Sequence, residues 1–185
     1  MAASAATLGA KRKSLIEAGR LSHSLLQHLP EIAPERRREA GQRFLGQRGA
    51  AVSPEEQAAI LERVLTLLAD PRLAALFGAG SRAEVAVAAL LPRPGLPPAP
   101  FVGRIDRLAV GEDDVLIADF KSGAPRGGAT PASYVAQLAL YRSAVAPLYP
   151  GRPLRAFLIW LDQPEIVEIA PQALDAALAG LSGGA

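Results

Sequence analysis

Phe101-Val102-Gly103-Arg104-Ile105-Asp106-Arg107-Leu108-Ala109-Val110-Gly111-Glu112-Asp113-Asp114-Val115-Leu116-Ile117-Ala118-Asp119-Phe120-Lys121 is the stretch whose reading decides the fold. Residues 101–110 and 115–121 have strand composition, and Gly111-Glu112-Asp113-Asp114 between them predicts a hairpin turn. With Val110 paired to Val115, the numbers of facing residues sum to 225, and Asp106 lies across from Asp119. Facing Cβ atoms in such a pair stand about 4.5–5.5 Å apart on one face of the sheet. Lys121 is two residues beyond Asp119 and points to that face too. Gly103 falls opposite Ser122, where a missing side chain leaves room at the mouth. Val115-Leu116-Ile117-Ala118 runs into Asp119 without a polar break, the mark of a central strand covered on both faces.

Two carboxylates this close repel by roughly 3 kcal/mol at 5 Å and an effective dielectric near 20. A fold tolerates the pair if one holds a proton or if a cation lies between them. Hard divalent cations such as magnesium take oxygen ligands, commonly one or two carboxylates with waters and a phosphate oxygen. A lysine beside them can steer a water or stabilise charge building on a phosphate. Two plainer readings remain open: a solvated strand end, and a surface salt-bridge cluster of Asp106 with Arg104 and Arg107.

Working outward, residues 1–11 read as a frayed leader. Residues 12–29 have helical spacing, with Leu15, Ala18, Leu21, Leu25 and Leu29 near one face, and Pro30 and Pro34 end that helix. An arginine-rich helix is predicted over 34–47. Ser53-Pro54-Glu55-Glu56 is a capping box that opens a helix to about Ala69, with Ile60, Val64, Leu67 and Leu68 inward. A short helix around 71–77 ends at Gly78. Residues 82–91 read as a strand, and the five prolines between Pro92 and Pro100 predict a loop. A second loop covers 122–131, followed by a helix over 132–146, strands over 156–161 and 164–169, and a closing helix over 171–181. The result is a single domain over 12–185, with a helical part at 12–80 and an α/β core of order β-β-β-α-β-β-α at 81–185.

The 185 residues suffice for one buried core. The chain has no cysteine, which excludes disulfides, thiol nucleophiles and cysteine-bound zinc or iron–sulfur centres. No run reaches the roughly 18 apolar residues of a membrane span, and no secretion signal is read at the N-terminus. Net charge is only +2, so nucleic-acid contact must come from local patches. Lysine occurs only at 11, 13 and 121 in a chain that otherwise uses arginine. A compact ammonium in the body of the fold suits a point-charge site that a guanidinium fork fits badly. Genome composition alone could also explain that bias.

Gly103-Arg104-Ile105-Asp106-Arg107-Leu108, Leu116-Ile117-Ala118-Asp119-Phe120-Lys121-Ser122 and Gln137-Leu138-Ala139-Leu140-Tyr141, in this order, resemble the RecB-like motifs of PD-(D/E)XK nucleases. The likeness is nearest to the C-terminal nuclease domain of AddA-type helicase–nucleases. Gly19-Arg20-Leu21-Ser22-His23 resembles the family's Gly-x-x-x-His helix, and Ser81-Arg82-Ala83-Glu84 its lead-in strand. The resemblance implies a restriction-endonuclease-like fold, a mixed sheet flanked by helices with a helical N-terminal part. It implies a magnesium- or manganese-dependent deoxyribonuclease. His23, Asp106, Asp119 and the carbonyl of Phe120 become metal ligands, Lys121 the catalytic lysine, and Glu84 a neighbour ordering a metal-bound water. Gln137 and Tyr141 contact DNA or brace the site.

The same resemblance implies single-stranded DNA delivered by an attached helicase motor during double-strand-break repair, a second helicase–nuclease subunit, and a bacterial cytoplasmic, nucleoid-associated setting. The usual Asp-Tyr-Lys-Thr is here Asp119-Phe120-Lys121-Ser122, and no Walker-A loop is present, so the motor lies outside this sequence or is lacking. Other readings stay open. The chain could be a catalytically weak nuclease-fold module for DNA binding or subunit contact, or a helical adaptor built on 34–69. His23 could be an ordinary helix histidine, Glu84 a solvated strand end, and Gln137 and Tyr141 helix packing. The arginines between 36 and 48 could grip phosphates or form a solvated face.

Overall fold

The computed structural model describes residues 5–93, 96–123 and 130–183. Five helices and five strands follow in the order α1 (Ala5–His28), α2 (Pro34–Arg48), α3 (Pro54–Ala69), β1 (Ser81–Arg93), β2 (Leu96–Val110), β3 (Val115–Lys121), α4 (Ala132–Val145), β4 (Leu154–Trp160), β5 (Glu165–Ile169) and α5 (Pro171–Gly183). The chain divides into two compact units. One comprises Met1–Ala74 with Leu161–Pro164, the other Ala75–Trp160 with Glu165–Ala185.

The first unit is helical. Leu21, Leu25, Leu29, Ile60, Leu61, Val64 and Leu67 form its buried stripes, as the spacing of three and four predicts. Two details depart from the prediction. Leu15 is 58% exposed, and Leu61 rather than Leu68 completes the α3 stripe. α1 begins at Ala5, inside the stretch read as a leader, of which residues 1–4 lie outside the described residues. Ser53 Oγ accepts from the Glu56 N–H at 3.3 Å, so the predicted cap starts α3. At Gly41 an added Cβ would run into the end of the Leu61 side chain, so a larger residue there would have to displace that leucine from between α2 and α3. The arginine-rich α2 spends much of its charge internally. Arg37 donates to the carbonyls of Ile32 and Pro30, Arg38 pairs with Glu62, and Arg43 pairs with Glu39. The solvated-face reading accounts for these three.

The second unit is a mixed sheet of order β1-β2-β3-β4-β5, antiparallel except for the parallel β3–β4 pair. A parallel neighbour requires a crossover, and α4 supplies it. One face of the sheet shares a core with α4 and α5, built on Ile105, Leu108, Val115, Ile117, Leu138, Tyr141, Leu158 and Leu174. The turn at 111–114 forms as predicted. Gly111 N–H donates to the Asp114 carbonyl at 2.9 Å, and Val110 pairs with Val115.

The predicted loop at 92–100 is corrected. β2 already starts at Leu96, with Pro100 opposite Leu90 and Ala99 opposite Leu91. The reason is the extent of the neighbouring ladder. β2 pairs with β3 only over Arg107–Val110, so among the described residues the 96–105 stretch has β1 as its one strand neighbour. Proline, lacking an N–H, is tolerated at such an edge. The predicted loop over 122–131 lies mostly at 124–129, outside the described residues.

Candidate active site

Along β2 and β3 the paired residues are Arg107 with Ala118, Leu108 with Ile117, Ala109 with Leu116 and Val110 with Val115. The 225 sum therefore holds, and the next pair in register is Asp106 with Asp119. At that pair the ladder ends. β3 runs on beside β4 as far as Lys121 opposite Trp160, while β2 runs on beside β1. The two carboxylates thus sit where β2 and β3 part company.

In place of the next main-chain rung, Asp106 Oδ2 accepts from the Phe120 N–H at 2.7 Å. The Asp106 carboxyl is raised from 3.8 to about 7. Burial is the main cause and the Asp119 charge the next; the Phe120 N–H pulls the other way, Glu84 adds to the rise, and Lys121 opposes it. Asp119 is 2% exposed, and its Oδ2 lies 2.6 Å from Lys121 Nζ. The attraction between the two groups offsets part of the cost of burying them.

Lys121 is also held from α4. Its Nζ donates to Gln137 Oε1 at 2.9 Å and lies 4.6 Å from the centre of the Tyr134 ring. Because an ammonium can only donate, Gln137 must turn its carbonyl to Lys121, which leaves its NH2 to donate to Tyr141 Oη at 3.0 Å. Tyr141 in turn donates to the Arg104 carbonyl at 2.6 Å. The chain of contacts returns to β2 two residues from Asp106. Burial raises the Tyr141 phenol above its ordinary pKa, so it stays protonated as a donor.

Gly103 does not leave an open mouth. A Cβ there would lie 2.7 Å from Tyr141 Cε1 and 2.9 Å from Phe101 Cζ, and in β1 Gly103 faces Val87. The space the missing side chain frees is filled by these two rings.

Glu84 is the single non-glycine residue with positive φ among the described residues, at +55°. It occupies the register position facing Asp106, and that rung is missing between Ala83–Arg107 and Val85–Ile105. The side-chain alternation of β2 breaks at the same point. Ile105 and Leu108 both enter the α4-side core, although a period of two would send them to opposite faces. Left-handed backbone at a charged residue costs of order 1–3 kcal/mol and gathers at functional sites. Arg104 pairs with Glu84 at 3.4 Å. Arg107 is buried, donates to Ser81 Oγ at 2.6 Å and stacks over Phe77, so the surface cluster of Asp106 with both arginines is not what forms. Phe120 stacks on Phe77 with ring centres 6.4 Å apart.

The structure brings Asp106, Asp119, Lys121, Gln137 and Tyr141 together, with Glu84 close enough to raise Asp106. Tyr134 joins them at Lys121 without being expected from the sequence; its signal is the spacing, three residues before Gln137 and seven before Tyr141 on one helical face. His23 lies half-buried on α1 of the helical unit, and its role as a ligand, like that of the Phe120 carbonyl, rests on the resemblance. Among the described residues no group of three or more His, Asp or Glu stands ready to hold a metal. The donor set nevertheless suits a hard divalent cation: two facing carboxylates, one lifted toward neutrality by burial and then by the other's charge, are relieved by a cation between them.

The chain belongs to the PD-(D/E)XK nuclease superfamily, whose family model matches residues 4–181. The mixed five-stranded sheet with its helices is the fold of that class, and nucleases of the class generally use divalent metal ions. Among solved structures, the one described as the crystal structure of SSO0001 is similar at 12% identity and a TM-score of 0.36, over 84% of this chain and 71% of that one. No curated protein matches the sequence.

Proposed function

We propose that this protein is a magnesium- or manganese-dependent deoxyribonuclease. The observation that carries the reading is the position of Asp106 and Asp119 at the fork between β2 and β3, with Lys121 paired to Asp119. Asp106, Asp119 and the Phe120 carbonyl would hold the ion, and the likeness to the family assigns His23 as a further ligand. When bound, the ion supplies a Lewis acid for a phosphate oxygen and a water of lowered pKa.

The residues of the chain prepare the rest. Asp106 gives up the proton that burial favours. Lys121 delivers a compact positive charge to the point of cleavage, where negative charge accumulates on the phosphate. Gln137 fixes the direction of Lys121, and Tyr141 ties Gln137 to the β2 backbone. Glu84 adds negative charge beside Asp106 and would order a water at a bound ion.

The substrate in this reading is single-stranded DNA delivered by a helicase motor during double-strand-break repair in the bacterial cytoplasm, with a second helicase–nuclease subunit as partner. Support for these finer points comes from the likeness of the three motifs to AddA-type nuclease domains. The test uses purified protein with single- and double-stranded DNA and magnesium or manganese. Cleavage that falls at least about a hundredfold in Lys121→Ala, the scale of losing one transition-state donor, supports the reading. A folded Lys121→Ala that cuts at the parent's rate ends it. Calorimetry separates the alternative of a non-cutting binding module, which would bind DNA without carboxylate-dependent metal uptake.

A further inference from the structure

We propose that Tyr134 is a positioning residue for Lys121, its ring holding the ammonium at the carboxylate pair; the proposal rests on the nuclease reading above. A lysine side chain has four rotatable bonds and a strongly hydrated head, so left alone it samples many directions. Here the Lys121 side chain is only 18% exposed, and three groups surround its Nζ. Asp119 Oδ2 is at 2.6 Å, Gln137 Oε1 at 2.9 Å, and the Tyr134 ring centre at 4.6 Å.

The ring does something that neither oxygen does. Its face attracts a cation through the π quadrupole, yet it carries no charge that would cancel the ammonium, and its bulk displaces water. A second carboxylate in that place would neutralise the lysine, and a water would compete for its protons. The ring is itself fixed. Trp160 packs against it with ring centres 6.0 Å apart at 60°, Trp160 is 3% exposed, and Trp160 is the register partner of Lys121 across β3–β4. Tyr134 and Gln137 share one face of the first turns of α4, so one helix sets both contacts at once.

The test compares Tyr134→Phe, which keeps the ring, with Tyr134→Leu and Tyr134→Met, which keep bulk without it. Expected is a kcat for DNA cleavage within about twofold of the parent in Tyr134→Phe, and a fall of about tenfold in the other two at nearly unchanged KM, the scale of a desolvated cation–π contact. Thermal midpoints show which variants are folded, and the methionine variant stands in if the leucine variant is not. Parent-like kcat in both ringless variants overturns the proposal, as does a fall in Tyr134→Phe equal to theirs.

A second readout needs no activity. The chain has three lysines, at 11, 13 and 121, so protein carrying labelled lysine gives three side-chain NMR signals, with Lys121 identified by its loss in Lys121→Arg. Expected is an upfield ring-current shift of the Lys121 ε-methylene in the parent and Tyr134→Phe, reduced in Tyr134→Leu and Tyr134→Met. An unchanged Lys121 signal in the ringless variants overturns the proposal. A parent that shows the shift but cuts no DNA removes the nuclease reading while leaving the Tyr134–Lys121 contact in place.

Discussion

Asp106 Oδ2 accepts from the backbone N–H of Phe120 at 2.7 Å, so a β2 side chain takes the place of a main-chain rung between β2 and β3. This one bond does three things. It pins Asp106 beside Asp119, it satisfies an N–H that the parting strands would otherwise bury unpaired, and it partly offsets the rise in the Asp106 pKa.

The pH dependence follows with a definite sign. The native Asp106 value of about 7 lies above its ordinary 3.8, mainly through burial and then through Asp119. Between those values the native protein holds a proton that the unfolded chain has released, so this group's stabilisation is full below the lower value and is lost as pH rises through the upper one. Asp106→Asn is expected to remove that part of the slope. A divalent cation needs the ionised carboxylate, so its affinity rises with pH through the same window. Thermal midpoints of parent and variant, taken with and without manganese at about pH 5 and about pH 8, check both statements. A manganese-induced rise as large at the lower pH as at the higher one contradicts them.

Tyr141 joins α4 to β2 through its hydroxyl. Tyr141→Phe keeps the ring against Gly103 but leaves the Arg104 carbonyl and the Gln137 NH2 without their partner. The expected loss in urea denaturation is about 1–3 kcal/mol, the cost of buried groups left unsatisfied. A fall in kcat should accompany it, because Gln137 is then free to turn away from Lys121. Unchanged stability and unchanged kcat together would show the relay to be idle.

Glu84 holds left-handed backbone at the point where the β2 alternation breaks. Glu84→Gly should relieve that strain and raise stability by about 1 kcal/mol, whereas Glu84→Ala, which keeps the steric penalty, should not. Both variants remove a negative charge that helps to raise Asp106, so the Asp106 titration shifts to lower pH in each. Chemical denaturation of the pair and NMR titration of Asp106 check the two effects separately.

Much of the site was legible because a four-residue turn fixes the hairpin register. Once Val110 meets Val115, Asp106 must face Asp119, and Lys121 must follow on the same side. Ser53 and the α3 stripe were legible for an equally local reason, a cap next to a helical period. The rest depended on where the strands separate. Pro97, Pro98 and Pro100 sit in a strand because β3 has already left β2 there, which no property of the prolines reveals. The reversal at Glu84 is invisible to a period-two reading, since glutamate gives no signal for positive φ. The crowding at Gly103 is not legible in the sequence, because the rings that fill its space come from Phe101, two residues away, and from Tyr141 on α4. The contact of Tyr134 with Lys121 is hidden for another reason: a tyrosine on a helix reads first as packing.

The carboxylate pair as a cation site is tested most directly by a crystal structure of the protein with manganese, using anomalous scattering. If Asp106 and Asp119 hold the ion, a peak lies within coordination distance of an oxygen of each, at about 2.1–2.3 Å, and vanishes in Asp106→Asn. A saturated crystal with no peak between the two strands, or with manganese bound only elsewhere, contradicts it.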